Sequence, residues 1–126
     1  MAYRKPNVFT SKVFSPIAMR FGIAGTKALT VRGRRSGLPR RVPVIPLEHA
    51  GQRYLVSPRG ETEWVRNLRD AGEADLGGAR VRVTEVPATE RGPMLDAYRK
   101  VAGRAVAAHF EALPDAADHP VFQIVT

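Results

Sequence analysis

Residues 28–60 read ALTVRGRRSGLPRRVPVIPLEHAGQRYLVSPRG, and short strand-forming runs alternate with turn signals in this stretch. Apolar and β-branched residues concentrate in three runs, which predict strands at Ala28–Val31, Arg41–Leu47 and Arg53–Ser57. Gly51 can take the positive backbone angle of a short turn, so the last two runs are expected to form a hairpin. Pro43 and Pro46 lie in the middle run. Because proline cannot donate to a sheet, this strand is expected at an edge, a bulge or a ligand-facing opening.

The periodicity changes after residue 60. Trp64, Val65 and Leu68 fit a short helix that begins near Thr62 and is stopped by Gly72. Residues 79–86 alternate between apolar and polar side chains, which predicts a half-exposed antiparallel strand. Further patterns predict an N-terminal helix over residues 8–24, a helical stretch over residues 93–113 with a break at residue 103, and a final strand over residues 120–125.

These elements predict one α+β domain over residues 1–126. About six short, mainly antiparallel strands joined by tight turns favour a barrel-like sheet with flanking helices over a parallel βαβ sheet. The chain has no cysteine, which excludes disulfides, thiolate metal sites and cysteine nucleophiles and makes the cytoplasm the expected compartment. Lys12, Pro16 and Arg20 interrupt the N-terminal apolar run, so neither a signal peptide nor a transmembrane helix is expected.

The charge distribution predicts an anionic partner. The net charge is +8, and residues 1–60 hold twelve basic side chains and one acidic one, whereas residues 61–126 hold eight and eleven. Nucleic acid, an anionic membrane surface and a small molecule with phosphate or carboxylate groups all fit a basic half. Charge alone does not distinguish among them.

The densest candidate site is the turn over residues 31–41, which contains five arginines. Guanidinium groups fork onto phosphate oxygens, and the flanking Gly33 and Gly37 let backbone N–H groups approach an anion, with Ser36 between them. A solvated loop is the simpler interpretation. Nucleic-acid binding is disfavoured because neither interleaved aromatic residues nor a recognition helix accompanies the run.

A second cluster, Ser57–Gly60, leaves a predicted strand and enters the helix that carries Trp64 and Asn67. A strand end that feeds a helix N-terminus presents free N–H donors, and Arg59 adds a cation there. Trp64 and Asn67 share a helix face. The simpler interpretation makes Trp64 a core aromatic residue, and the functional one has Trp64 support a planar ring while Asn67 tethers a loop or a ligand amide. The three histidines lie far apart, so no metal site is predicted. With little acid–base machinery of its own, an enzyme of this kind would rely on a cofactor for the difficult step.

These motifs resemble the deazaflavin-dependent nitroreductase family of actinobacteria. The resemblance covers roughly residues 28–85 and is carried by residues 29–40, 43–44, 51–60 and 64–69. It implies a split β-barrel that binds reduced coenzyme F-420, which carries a deazaflavin ring, a phosphodiester and an oligoglutamate tail. The family often has lysine where Arg59 stands, and a longer glycine-rich segment where this chain has Glu61–Glu63.

Carried over residue by residue, the resemblance implies a binding site in two parts. Arg34, Arg35, Ser36 and Arg40 would hold the phosphate and the tail. Backbone contacts would line the ring at Pro43, Val56, Ser57, Pro58, Arg59 and Gly60, with Trp64 and Asn67 shaping the pocket.

The resulting hypothesis is an oxidoreductase that moves hydride from the reduced deazaflavin to a quinone, a nitroaromatic compound or an activated alkene. The alternatives are a cofactor-binding protein of the same fold without turnover, with flavin mononucleotide as the other cofactor, and more remotely a basic nucleic-acid-binding protein. The sequence names no catalytic residue, and it leaves a homodimer and peripheral membrane contact open.

Overall fold

The computed structural model describes residues 25–125. The helix predicted over residues 8–24 lies outside this range. Within it are seven strands: β1 Lys27–Arg32, β2 Pro39–Val44, β3 Leu47–His49, β4 Gln52–Val56, β5 Glu73–Leu76, β6 Ala79–Glu85 and β7 Val121–Ile124. The α-helices of the described range are α1 Glu63–Ala71, α2 Gly92–Ala102 and α3 Arg104–Ala112, and Ala88–Glu90 and Ala116–Asp118 form single 3₁₀ turns.

All seven strands form one antiparallel sheet in the order β2-β1-β5-β6-β7-β4-β3. The two edge strands, β2 and β3, are consecutive in the chain and separated only by Ile45 and Pro46. A flat sheet of this order would hold its edges about 29 Å apart, whereas the chain from Val44 to Leu47 spans at most about 11 Å. The sheet must therefore curl, and it forms the split, barrel-like α+β fold that the sequence predicts.

Two strand predictions require correction. The run Arg41–Leu47 is not one strand, because Ile45 and Pro46 carry the chain from one edge of the sheet to the other. Strand β5 was not predicted, since four residues between Gly72 and Gly77 are too short to show a clear period. The expectation that the proline-bearing strand lies at an edge is confirmed, with Pro43 in the edge strand β2.

The core has two halves, one on each face of β4 and β7. Leu55 and Phe122 point into the barrel, where α1 closes the core with Val65 and Leu68. Their neighbours along the strands belong to the second half, which α2 and α3 cover; these neighbours are Tyr54, Val56 and Val121. This alternation is the period of two of a strand with both faces buried. The end of β4 is thereby held between two layers of helix.

The helical stretch is interrupted at Gly103, which separates α2 from α3, as the sequence predicts. Leu95, Tyr98 and Ala102 on α2 share the buried face with Val106 and Phe110 on α3. In the described part of the chain, no helix has both the length and the hydropathy needed to cross a membrane.

Candidate functional site

Two adjoining cavities lie where the barrel is split. The first, called here the basic cavity, has a volume of about 480 Å³, and the second, the apolar cavity, about 350 Å³. Val42, Arg59 and Trp64 line both, so the two form one continuous groove. The remaining wall of the basic cavity consists of Gly33, Arg34, Arg35, Ser36, Arg40, Arg41, Thr62, Glu63 and Asn67. That of the apolar cavity consists of Thr26, Pro43, Val44, Ile45, Val56, Ser57, Pro58, Tyr98, Ala105, Val106 and His109.

The turn between β1 and β2 forms one wall of the basic cavity. It is closed by hydrogen bonds from the Gly33 N–H to the Leu38 carbonyl at 2.8 Å and from the Gly37 N–H to the Gly33 carbonyl at 2.9 Å. The Ser36 Oγ accepts a hydrogen bond from the Leu38 N–H at 3.1 Å. A Cβ at position 33 would lie 2.9 Å from that Oγ, so the turn packs around a glycine. Ser36 therefore shapes the turn that presents the arginines.

Asn67 fastens this turn to helix α1. Its Oδ1 accepts hydrogen bonds from the Arg34 backbone N–H at 3.0 Å and from the Arg34 Nη1 at 2.8 Å. Asn67 is buried, although its neighbours on the outer face of the helix are exposed. The loop-tether interpretation of Asn67 thus describes its position in the structure.

The same guanidinium carries an ion pair with Glu63, whose Oε1 lies 3.0 Å from the Arg34 Nη1. The hydrogen bond from Arg34 lowers the pKa of the Glu63 carboxyl. Arg66 approaches the other oxygen, with 3.3 Å between its Nη1 and Oε2. Glu63 is the acidic residue of a wall that is otherwise rich in arginine.

Several polar and charged groups of the basic cavity have no ion-pair or hydrogen-bond partner among the described residues. Within residues 25–125, Arg35, Arg40 and Arg59 make no ion pair. The Thr62 Oγ1 is buried and has no hydrogen-bond partner in the described part of the chain. A buried hydroxyl without a partner costs about 1–3 kcal/mol, and an anion among unpaired guanidinium groups would satisfy both. The residues present therefore fit a ligand with phosphate or carboxylate groups.

The end of β4 lines the apolar cavity with Val56 and the following Ser57. The Ser57 N–H donates to the Pro120 carbonyl at 3.0 Å, and its Oγ–H donates to the Gly60 carbonyl at 2.6 Å. Behind the strand end, the fully buried His119 places its ring nitrogens 3.1 Å from the Ser57 carbonyl oxygen and 2.6 Å from that of Leu113. His119 therefore supports the end of β4 from behind, with both ring nitrogens against backbone carbonyl oxygens.

Proline and aliphatic side chains form most of the wall of the apolar cavity, and Tyr98 and His109 are the two polar residues that α2 and α3 contribute to it. Burial raises the pKa of Tyr98 to about 12, so its phenol remains protonated at neutral pH. His109 is half-buried and reaches the cavity from the helix face that also presents Ala105 and Val106. Trp64 separates the cavities and packs against Phe122, with 6.4 Å between the ring centroids.

The structure brings all but one of the predicted site residues to this groove. The exception is Gly60, which lines neither cavity. Its φ of +84° suits glycine, and a Cβ there would lie 3.1 Å from the Leu113 Cδ1 and 3.3 Å from the Asp118 carbonyl oxygen. Gly60 therefore permits the turn and the close approach of the C-terminal segment.

Sequence reasoning missed Thr62, Glu63 and His109 as wall residues. The N-cap position before α1 is a signal that could have identified Thr62. The spacing of Ala105, Val106 and His109 on one helix face could have indicated a shared wall, yet only the fold shows what that face meets. Among residues 25–125, no group of three His, Asp or Glu side chains gathers to hold a metal ion.

Comparisons with known proteins agree with this geometry. The sequence matches the family described as F420H(2)-dependent quinone reductase over residues 3–116. No curated protein matches it at a significant level. A solved structure described as an F420-H2 dependent reductase (FDR-A) shares 20% identity and a TM-score of 0.61, over 80% of this chain and 94% of that one.

Two further solved structures share the fold. One described as an F420 reductase has 14% identity and a TM-score of 0.54, over 81% of this chain and 86% of that one. One described as a domain-swapped dimer has 16% identity and a TM-score of 0.56, over 95% of this chain and 99% of that one.

Proposed function

The chain belongs to the F420H(2)-dependent quinone reductase family, and from that premise we propose that it transfers hydride from reduced coenzyme F-420 to a small electron-poor acceptor. Quinones, nitroaromatic compounds and activated alkenes are the acceptor classes. The observation that carries the proposal is the continuity of a cationic cavity with an apolar one. This division matches a coenzyme with a flat ring at one end and a polyanionic tail at the other.

The basic cavity supplies the charge for the tail. Arg35, Arg40 and Arg59 line this cavity and make no ion pair within the described residues, and Thr62 adds a buried hydroxyl. Bonds from a guanidinium to a phosphate or carboxylate oxygen contribute about 1.5–3 kcal/mol when desolvated and less at an exposed site. Several such bonds together are sufficient for micromolar affinity.

The apolar cavity is suited to the ring. Pro43, Val56 and Pro58 give it an uncharged surface, while Arg59 and Trp64 lie where it adjoins the basic cavity. When bound, the coenzyme supplies a two-electron hydride donor. The chain contributes orientation, because a rigid wall that holds donor and acceptor in contact removes much of the entropic barrier.

The acceptor also needs a proton, and His109 is proposed to donate it. The Tyr98 phenol in the same wall is a weak acid because its burial raises the pKa to about 12. An imidazole is the side-chain type that gives and takes protons near neutral pH. With a quinone as the acceptor, the bound coenzyme would supply the hydride, the imidazole of His109 would give its proton to the acceptor oxygen, and solvent would return a proton to His109.

A titration with oxidised coenzyme F-420, followed by quenching of the deazaflavin fluorescence, tests the binding step. We expect micromolar affinity, with flavin mononucleotide and duplex DNA binding much more weakly. Arg35→Ala combined with Arg40→Ala is expected to weaken coenzyme binding tens- to hundreds-fold, at about 1–2 kcal/mol each. The matched control is Arg80→Ala, since Arg80 pairs with Glu73 and lies outside both cavities. Preferred binding of the flavin or of DNA would overturn the proposal.

We also propose that the protein forms a homodimer. Among the described residues β2 and β3 are the edge strands of the sheet, and edge strands can pair with a second chain; a structural neighbour that aligns over 95% of this chain is described as a domain-swapped dimer. Light scattering coupled to size-exclusion chromatography distinguishes a dimer from a monomer, and a monomer across the micromolar range would refute this part of the proposal.

A further inference from the structure

The basic cavity contains an acidic group that opposes its charge. Glu63 stands at the first position of α1 with its side chain 70% exposed, and its Oε1 lies 3.0 Å from the Arg34 Nη1. A ligand carboxylate would bind Arg34 in the same manner. The Glu63 carboxylate therefore occupies the position at Arg34 that one anionic group of a ligand would take.

We propose that Glu63 competes with the acidic tail of the ligand for Arg34, and that it sets how steeply affinity rises with the number of carboxylates in that tail. This inference rests on the proposed function, because the tail in question is the oligoglutamate of the coenzyme. Glu63 then acts as a specificity-determining residue. It lowers the gain in affinity that each additional carboxylate of the tail provides, and it does so without contacting the deazaflavin ring.

The geometry allows the Glu63 carboxylate to leave Arg34 without losing all its partners. Arg66 lies one helical turn further on, and its Nη1 is 3.3 Å from the Glu63 Oε2. When the bond to Arg34 breaks, the carboxylate can shift outward along α1 and stay near Arg66. Both groups are substantially exposed, so water supports the shifted position.

Arg34 stays in place when Glu63 leaves. The Asn67 Oδ1 accepts from its backbone N–H at 3.0 Å and from its Nη1 at 2.8 Å. A guanidinium has five N–H donors, and the contacts to Glu63 and Asn67 use Nη1. Within residues 25–125, the Arg34 side chain is therefore held in place by Asn67, and Glu63 is the one carboxylate that competes with a ligand for it.

The test compares Glu63→Gln with the wild type in titrations against three probes. These are coenzyme F-420 with a short tail, coenzyme F-420 with a long tail, and a free oligoglutamate peptide. An exposed ion pair contributes little, so we expect Glu63→Gln to tighten binding of the long-tailed coenzyme about 2- to 5-fold. The gain is expected to be smaller for the short tail and to shrink as salt is added.

Two controls separate competition at Arg34 from a general change in charge. Glu61→Gln removes an acidic residue from the same loop, but Glu61 pairs with Arg69 at 2.8 Å and lies outside the cavity wall. It is expected to bind all three probes like the wild type. In an Arg34→Met background, Glu63→Gln is expected to lose its gain. Urea unfolding of each variant verifies that the fold is intact.

Each outcome decides the question. Equal affinity of Glu63→Gln and wild type, or an equal gain in Glu61→Gln, would overturn the inference. If the wild type binds neither form of the coenzyme, the proposed function is refuted. The peptide titration then still tests whether Glu63 competes for Arg34. If no variant binds the peptide either, the competition at Arg34 is refuted as well.

Discussion

Asn67→Ala should loosen both the fold and the basic cavity, because one side-chain oxygen holds the turn between β1 and β2. The substitution removes two hydrogen bonds to Arg34, at 3.0 Å from the backbone N–H and 2.8 Å from Nη1. A neutral bond contributes about 1 kcal/mol and one to a charged group about 1.5–3 kcal/mol, with less for a partly exposed partner. We expect a loss of about 2–3 kcal/mol in the free energy of unfolding.

Urea unfolding monitored by the fluorescence of Trp64, the single tryptophan, measures this loss directly. The midpoint should fall while the slope stays unchanged, since the same surface is exposed on unfolding. Gln123→Ala is the matched amide control. The Gln123 Nε2 donates to the Gln52 Oε1 at 3.1 Å in an exposed position, and its removal should change stability by less than about 0.5 kcal/mol.

The refuting result is an Asn67→Ala variant that unfolds at the wild-type midpoint. That outcome would mean that the turn is held by its own backbone hydrogen bonds. A loss of stability with unchanged coenzyme affinity would separate the two roles, because it would show that Arg34 needs no support from Asn67 to bind the ligand.

Three further outcomes are expected. Gly60→Ala should destabilise the fold by about 1–3 kcal/mol in urea, because φ is +84° and the new Cβ would meet Leu113, whereas Gly92→Ala, with open space around it, should not. Burial raises the pKa of Tyr98 to about 12 in the folded protein, so the unfolded chain loses this phenol proton at a lower pH. The free energy of unfolding should therefore fall by about 2–3 kcal/mol as the pH rises from about 10 to 12. In pH-dependent unfolding curves, Tyr98→Phe should abolish that fall. His109→Gln should lower kcat with a quinone about 100-fold in steady-state assays while leaving the Kd of the oxidised coenzyme unchanged, and an unaltered kcat would assign the proton to solvent.

Local patterns predicted most elements because each depends on neighbouring residues. Pro43 placed its strand at an edge, and Gly103 marked the break between α2 and α3. The division of Arg41–Leu47 into two strands could not be predicted in the same way. Its cause is the curl of the whole sheet, which requires Ile45 and Pro46 to bridge two edges.

The residues of the candidate site could likewise be predicted only where they form local motifs. The arginines near residue 35 and the pair Trp64 and Asn67 were visible as motifs, and the structure brings them to one groove. What the sequence could not supply was the pairing between them, since Arg34 and Asn67 lie 33 residues apart. His109 joined the wall only through the packing of α3 on the sheet.

The order of the strands also has a consequence for biosynthesis. Strand β4, whose end lines the apolar cavity, pairs along its length with β7, from Arg53 opposite Ile124 to Val56 opposite Val121. Strand β7 follows every other described element in the chain. In a growing chain β4 has only β3 as a partner until β7 joins the sheet, so the groove is complete only once the last described strand has paired.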